Sequence, residues 1–143
     1  MSVNICMGCN EMYDVQFLIR VNRDGYDYIC PKKGCDGSVI ELDELIAPTI
    51  IELNNKGYYT RYCCSGHWYS NEHTATYIAF SNKDCVPDEL PEGFKLYKSG
   101  ETIRLSNDEA FDDLVERFRH INEVNVILLE WAKKLEANEW DYL

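Results

Sequence analysis

The sequence predicts an α+β protein in which a small cysteine-rich unit precedes a mainly antiparallel sheet covered by helices. Three observations predict this class. Two closely spaced cysteine pairs lie within the first 35 residues, alternating strand patterns fill the middle of the chain, and apolar residues recur at helical spacing over residues 42–55 and in the last third. We expect a first unit over residues 1–37 and an α+β ligand-binding domain over residues 38–143.

The chain length and composition fit one compact domain, or one domain with a small appended module. The 143 residues carry a formal net charge of −11, whereas proteins that bind duplex DNA usually carry a basic stripe. No run approaches the roughly 18 apolar residues that cross a bilayer, and residues 1–6 lack the basic and apolar regions of a signal peptide. We therefore expect a cytoplasmic protein that binds neither duplex DNA nor membranes.

The cysteine spacing predicts a metal site in the first unit. Seven cysteines are an odd number, and without an export signal they do not indicate a disulfide framework. Cys6 and Cys9 form a C-x2-C pair, and Cys30 and Cys35 form a looser C-x4-C pair. Four thiolates can surround one Zn²⁺ tetrahedrally, and such a site is structural because no coordination position stays open. The alternatives are free buried thiols or a redox pair.

The segment between the two cysteine pairs completes the pattern. Residues 15–21 and 25–29 have strand composition, and residues 22–25 supply a turn. A hairpin of this length brings both pairs to the same end, and a core this small needs a metal to fold by itself. Residues 1–37 therefore resemble a zinc ribbon, which implies one structural zinc ion held by the four cysteines.

Apolar residues at helical spacing predict a helix over residues 44–55. Pro48 either distorts its first turn or marks a helix that starts near Ala47, since proline lacks the backbone N–H group. Asp43 is the predicted cap of this helix. Gly57 lies where a residue in the left-handed conformation commonly ends a helix.

Strands are expected on the C-terminal side of this helix. Residues 58–64 alternate, which places Cys63 and Cys64 on opposite faces, so that one of them fills the core. Gly100 lies in the turn of a predicted hairpin. Further strands are expected at residues 74–81, 94–97 and 102–105.

The last third of the chain predicts one long helix. Ser106 and Glu109 form a capping box, and apolar residues continue at helical spacing to residue 137. An unbroken helix of that length would span about 45 Å, whereas a compact chain of this size has a diameter of about 37 Å. We therefore expect a break or bend near residues 122–125, or else one helix that overhangs the domain, and we expect His120 to lie on the surface.

Negative charge is concentrated in the same region. Residues 106–143 contain four Lys or Arg against ten Asp or Glu. Such a charge excess indicates a solvated helix surface or, alternatively, a surface through which the C-terminal helix docks on a protein partner.

A possible ligand site follows the strand of residues 58–64. Ligand-binding side chains commonly lie where a strand ends, on a loop held by a rigid scaffold. Here Ser65 and Gly66 can expose successive N–H groups to an anion, His67 can donate or accept a hydrogen bond, and Trp68 can stack on a base. The predicted ligand-binding residues are Arg61, Cys64, Ser65, Gly66, His67, Trp68, Tyr69 and Arg104.

Residues 60–67, Thr-Arg-Tyr-Cys-Cys-Ser-Gly-His, resemble the Ser-Cys-Ser-Gly-Arg turn of the wybutosine-type tRNA methyltransferases. In that family the turn also follows a helix and a Thr-bearing strand, and the likeness spans residues 45–81. The resemblance implies that Cys64, Ser65 and Gly66 line a pocket for S-adenosylmethionine or for the modified base. His67 stands where that family has Arg.

The leading functional hypothesis is a zinc-ribbon protein that binds a nucleotide-like or other phosphorylated small ligand at residues 64–67, here called the 64–67 turn. It would sequester or sense that ligand rather than convert it. The alternatives are an RNA-modifying enzyme, as the family resemblance implies, and an acidic protein that inhibits a partner. Two further hypotheses concern the turn itself: a second metal site formed by Cys64, His67 and His73, and a nucleophilic Cys64 with His67 as its base.

Overall fold

The computed structural model describes residues 2–13, 19–20, 28–35, 37–69, 75–100 and 102–138. Within these ranges the fold is α+β, as predicted, with two antiparallel sheets and two α-helices. The elements in chain order are β1 (Ser2–Cys6), β2 (Met12–Tyr13), β3 (Ile19–Arg20), β4 (Tyr28–Ile29), β5 (Ser38–Asp43), α1 (Ala47–Asn55), β6 (Thr60–Cys64), β7 (Thr76–Phe80), a 3₁₀ turn (Lys83–Cys85), β8 (Lys95–Ser99), β9 (Thr102–Asn107) and α2 (Leu114–Lys134).

The first sheet contains the cysteine pairs. Its strands, as far as the chain is described, run in the order β2-β1-β5-β4-β3 with antiparallel pairing throughout. β5 is central, because it pairs with β1 from Asp43 to Val39 and with β4 at Val39 and Ser38. The predicted hairpin corresponds to β3 and β4, whereas its turn at residues 22–25 lies outside the described residues. The division of the chain at residue 37 stays a prediction.

The second sheet supports the 64–67 turn. Its strand order in the described residues is β6-β7-β9-β8, and the predicted hairpin around Gly100 is confirmed as β8 and β9. A bulge between Thr60 and Tyr62 interrupts the alternation that the sequence predicts. Cys63 pairs with Ile78 on the face that packs on the core, so Cys64 lies on the opposite face.

One main core joins both sheets and both helices. Ile5 and Leu42 reach it from the first sheet, although most of its side chains come from α1, α2 and the second sheet. A smaller cluster of Cys6, Cys30 and Val39 lies beneath the other cysteines. The fully buried members of the main core with large side chains are Ile5, Ile46, Ile50, Leu53, Ile78, Phe80, Leu105 and Leu128.

α1 is shorter than the favoured prediction. It begins at Ala47, with Pro48 in its first turn. Proline is tolerated there because N–H groups of the first turn make no hydrogen bond within the helix. The predicted cap at Asp43 is wrong, because the N-cap is Ile46 and makes no side-chain capping bond. The predicted end of the helix is confirmed: Gly57 has φ +87°.

α2 starts later than the predicted capping box. Ser106 lies in β9, where it pairs with Tyr77, and its hydroxyl donates to Asp108 Oδ1 at 2.6 Å. The N-cap is instead Asp113, whose carboxylate accepts from the N–H of Glu116 at 3.0 Å. The capping-box prediction is wrong because sheet pairing extends β9 through Ser106.

The predicted break in α2 is also wrong. The helix runs without interruption through residues 122–125 and ends at Lys134, which gives 21 residues and a length of about 32 Å. That length is shorter than the diameter of about 37 Å expected for a compact chain of this size. Two asparagines in this stretch are accommodated within the helix, where Asn122 and Asn125 each donate to the carbonyl four residues earlier.

Two further predictions about this region need correction. His120 is largely buried, because its Nε2 lies 3.0 Å from Asn107 Oδ1 and its ring packs 4.9 Å from that of Phe111. α2 itself contains three acidic and four basic residues, so the acidic excess lies in the sequence before and after the helix. Neither helix in the described residues combines the length and apolar character that crossing a membrane requires.

The cap provides a direct test of where α2 begins. Replacement of Asp113 with alanine should lower the free energy of unfolding by about 0.5–2 kcal/mol, because an N–H group of the first turn loses its acceptor. Asp112→Ala is the matched control and should stay within about 0.5 kcal/mol. Urea denaturation of both variants measures the difference, and equal losses would place the helix start elsewhere.

Candidate functional site

The four predicted metal ligands lie together at one end of the first sheet. Cys6 ends β1, Cys9 lies in the turn that follows it, Cys30 follows β4, and Cys35 precedes β5. The Sγ atoms of Cys6 and Cys35 are 3.6 Å apart, and those of Cys9 and Cys30 are 3.8 Å apart. Thiolates arranged tetrahedrally around a metal at about 2.3 Å lie about 3.8 Å from one another. The cluster can therefore hold a metal ion.

The backbone near Cys6 is shaped around its sulfur atom. The N–H groups of Gly8 and Cys9 donate to Cys6 Sγ at 3.3 and 3.5 Å. A Cβ atom on Gly37 would lie 2.6 Å from the same sulfur and 2.9 Å from the Gly8 nitrogen. The segments that carry the two cysteine pairs can approach this closely only because position 37 has no side chain.

Hydrogen bonds give two thiols of the cluster, Cys30 and Cys35, very different pKa values. Burial works against ionisation of Cys30, but a hydrogen bond from Tyr13, whose hydroxyl lies 3.1 Å away, and others from its neighbours lower its pKa to about 7. The Gly37 N–H favours ionisation of Cys35, yet the bond to Cys6 and burial together raise the pKa of Cys35 to about 12. Metal binding requires thiolates, so a metal ion entering this cluster displaces the remaining protons.

The 64–67 turn is held by contacts within the protein. The N–H and hydroxyl groups of Ser65 both donate to Asp43 Oδ2, at 3.1 and 3.2 Å. The N–H group of Gly66 donates to Cys64 Sγ at 3.4 Å, and Gly66 has φ +91°. The two N–H groups that the sequence assigns to an anion therefore have internal acceptors.

A second set of bonds fixes the turn to its neighbours. The Ser65 carbonyl accepts from Thr76 Oγ1 at 2.9 Å and from Asn125 Nδ2 at 3.0 Å. Thr76 begins β7, and Asn125 lies on the buried face of α2, so both elements hold the turn in place. The sequence offered no indication of Asn125 in this role, because it lies 60 residues from Ser65.

Aromatic side chains continue from the turn and line a cavity. His67 Nδ1 lies 3.2 Å from the Tyr69 hydroxyl, and the Trp68 ring packs edge-on against Phe118 at 5.5 Å. The cavity has a volume of about 330 Å³. Its lining consists of Asp43, Glu44, Leu45, Ser65, Gly66, His67, Trp68 and Tyr69.

The two predicted arginines do not join this cavity. Arg61 is exposed on β6, and Arg104 lies 5.0 Å from the centre of the Tyr77 ring on the outer face of the second sheet. Arg104 lines a separate cavity of about 380 Å³ with Tyr62 and Tyr97. Of the predicted ligand residues, those from Ser65 to Tyr69 line the first cavity and Arg104 lines the second, whereas Arg61 and Cys64 line neither.

The adjacent cysteines have different environments. Burial raises the pKa of Cys63 to about 12, as suits a thiol that packs on the core. Burial also raises the pKa of Cys64, whose sulfur lies 3.4 Å from His67 Nε2. A raised thiol pKa argues against the nucleophile hypothesis for Cys64, because the thiolate is the reactive form. His73, the third member of the predicted second metal site, lies outside the described residues.

The fold and the cysteine cluster define an α+β protein with a four-cysteine site that can hold a metal ion. No family model, curated protein or solved structure matches the chain. The resemblance of residues 45–81 to the wybutosine-type methyltransferases therefore stays a prediction.

Proposed function

We propose that this chain is a zinc-ribbon protein that binds a small anionic, nucleotide-like or phosphorylated ligand at the 64–67 turn. Zinc is the metal that four thiolates in a tetrahedral arrangement favour, and it serves a structural role in such sites. The Sγ separations of 3.6 and 3.8 Å support that assignment. The zinc ion holds the first sheet, whose β5 strand carries Asp43 to the turn.

The cavity beside the turn is the observation that carries the ligand proposal. Its volume of about 330 Å³ falls at the lower end of the range of about 300–1,000 Å³ for small-molecule sites. Trp68 and Tyr69 are exposed beside it and offer ring faces on which a nucleobase can stack. His67 lies between these rings and Cys64, and a polar group of the ligand can bond to its ring by replacing the Tyr69 hydroxyl at Nδ1.

Binding without conversion is the version of this function that the chemistry favours. The thiol nearest to His67 has a raised pKa, and the carboxylate of Asp43 is engaged by Ser65. Neither group has the character of an activated nucleophile. The protein would thus sequester or sense its ligand.

RNA binding is a second candidate, and the outer face of the second sheet favours it. Tyr62 and Tyr77 pack edge-to-face at 6.3 Å, Arg104 covers Tyr77, and Tyr97 is exposed beside them. Aromatic side chains and arginine on an open sheet are the groups on which single-stranded bases stack. An RNA-modifying enzyme would use this face to hold its substrate.

Calorimetry separates the two candidates. Replacement of His67 with alanine should weaken binding of AMP, a cyclic dinucleotide or S-adenosylmethionine by about 10-fold, the effect of losing one hydrogen bond of about 1.4 kcal/mol. The melting temperature should change by only a few degrees. Tyr97→Ala is the control and should leave these affinities unchanged.

The opposite effect of the two variants would support RNA binding. If a short single-stranded RNA binds and only Tyr97→Ala weakens it, the sheet face is the functional surface. If none of these ligands binds and His67→Ala lowers only stability, the turn is structural, and an acidic protein that binds a protein partner becomes the better account.

A further inference from the structure

A second group of metal-ligand side chains lies at the 64–67 turn. The carboxylate of Asp43, the thiol of Cys64 and the imidazole of His67 place one ligand atom each within 4.8 Å of the other two. Asp43 ends β5 of the first sheet and Cys64 ends β6 of the second, so the group lies where the two sheets meet. Its members combine oxygen, sulfur and nitrogen donors, which zinc accepts together.

The distances within this group fit a tetrahedral metal. Cys64 Sγ and His67 Nε2 are 3.4 Å apart. Sulfur, nitrogen and oxygen ligands at about 2.0–2.3 Å from a tetrahedral zinc ion lie about 3.3–3.6 Å from one another. The thiol and the imidazole already have that separation, and a carboxylate oxygen of Asp43 lies within 4.8 Å of both.

Each of the three ligands is oriented by a neighbouring group. Ser65 donates twice to the Asp43 carboxylate, Gly66 donates its N–H to Cys64 Sγ, and the Tyr69 hydroxyl lies 3.2 Å from His67 Nδ1. The contact at Nδ1 leaves Nε2 directed at the thiol. Partners of this kind fix ligand orientation in metal sites and raise metal affinity.

We propose that Asp43, Cys64 and His67 bind a second zinc ion whose fourth coordination position is open to the cavity beside the turn. Three protein ligands with one free position are typical of zinc sites that take up water or a ligand. Asp43 and His67 line that cavity, which makes the position reachable. On binding, zinc replaces the Cys64 thiol proton, which leaves to solvent.

The second zinc ion supplies the positive charge that the cavity otherwise lacks for binding an anion. Asp43 and Glu44 contribute negative charge, and in the described part of the chain no lysine or arginine lines the cavity. A divalent cation offsets the charges of Asp43 and the Cys64 thiolate, and it binds a phosphate or carboxylate oxygen directly at its open position. That the zinc ion binds the anionic group of a ligand rests on the proposed function. The metal site itself rests on the three protein ligands alone.

Counting metal ions tests the site. The full chain, saturated with Zn²⁺ and desalted, should hold two zinc ions by native mass spectrometry, while Cys64→Ala and Asp43→Asn should hold one. Cys63→Ala is the matched control, because the neighbouring thiol faces the core, and it should keep both ions. Ser65→Ala should bind the second ion about 10–100-fold more weakly, because it loses a bond that orients Asp43. One zinc ion in the wild type, or two in Cys64→Ala, would overturn the site.

Probe binding separates this inference from the proposed function. Inorganic phosphate, AMP and adenosine are titrated into the wild type and into Cys64→Ala. Phosphate and AMP should lose at least about 10-fold in affinity in the variant, about 1.4 kcal/mol, whereas adenosine should be unaffected. If the protein holds two zinc ions but binds none of the three probes, the metal site is supported. The anionic ligand assigned to it and the proposed function are then both overturned. AMP binding equally to both proteins, each with one zinc ion, would overturn the second site and support the proposed function.

Discussion

Cys9→Ser should release the metal ion from the four-cysteine cluster and unfold the first sheet. Zinc bound to sites of this kind contributes about 10–16 kcal/mol of apparent binding free energy. Among the described residues, the buried cluster beneath the cysteines consists of Cys6, Cys30 and Val39, which is too small to hold the sheet by itself. Zinc content and amide hydrogen exchange of β1 and β5 measure the two effects.

Loss of the metal ion should also destabilise the main core. β5 is the central strand of the first sheet, and Ile5 and Leu42 extend from this sheet into the main core. We therefore expect broader unfolding transitions in Cys9→Ser and in wild type treated with a chelator. Cys63→Ala controls for the loss of a half-buried thiol and should retain the metal in this cluster. A metal-free protein with a cooperatively folded first sheet would contradict the zinc assignment.

Leu128→Ala should lower the free energy of unfolding by about 3–5 kcal/mol, since it removes buried methyl groups and leaves a cavity. Leu128 has no exposed surface and packs among side chains of the main core. Val126 lies on the same helix with 56% of its surface exposed. Val126→Ala should therefore stay within about 0.5 kcal/mol of the wild type, and urea denaturation compares the two variants.

This pair of variants also tests the continuity of α2. Leu128 and Val126 are two positions apart, which places them on different faces of an unbroken helix. A break near residues 122–125 would rotate the segment that follows it and change which of the two is buried. A larger loss for Val126→Ala than for Leu128→Ala would mean that the helix has a different register.

Local patterns in the sequence predicted much of the fold. The spacing of Cys6, Cys9, Cys30 and Cys35 indicated a metal cluster, because ligands close in sequence come from turns of restricted geometry. The end of α1 at Gly57 followed from the one residue type that adopts a positive φ without strain. The hairpin of β8 and β9 was likewise predictable, since alternation and a turn residue are local properties.

Only the tertiary structure decided where long-range contacts override local signals. Ser106 has the sequence pattern of a helix cap, which is worth about 1 kcal/mol, yet pairing with Tyr77 keeps it in a strand. Asp43 likewise has the pattern of a cap for α1, but its carboxylate binds Ser65, 22 residues away, where Cys64 and His67 converge. Such contacts depend on how two sheets pack together, and no local pattern of residues encodes that packing.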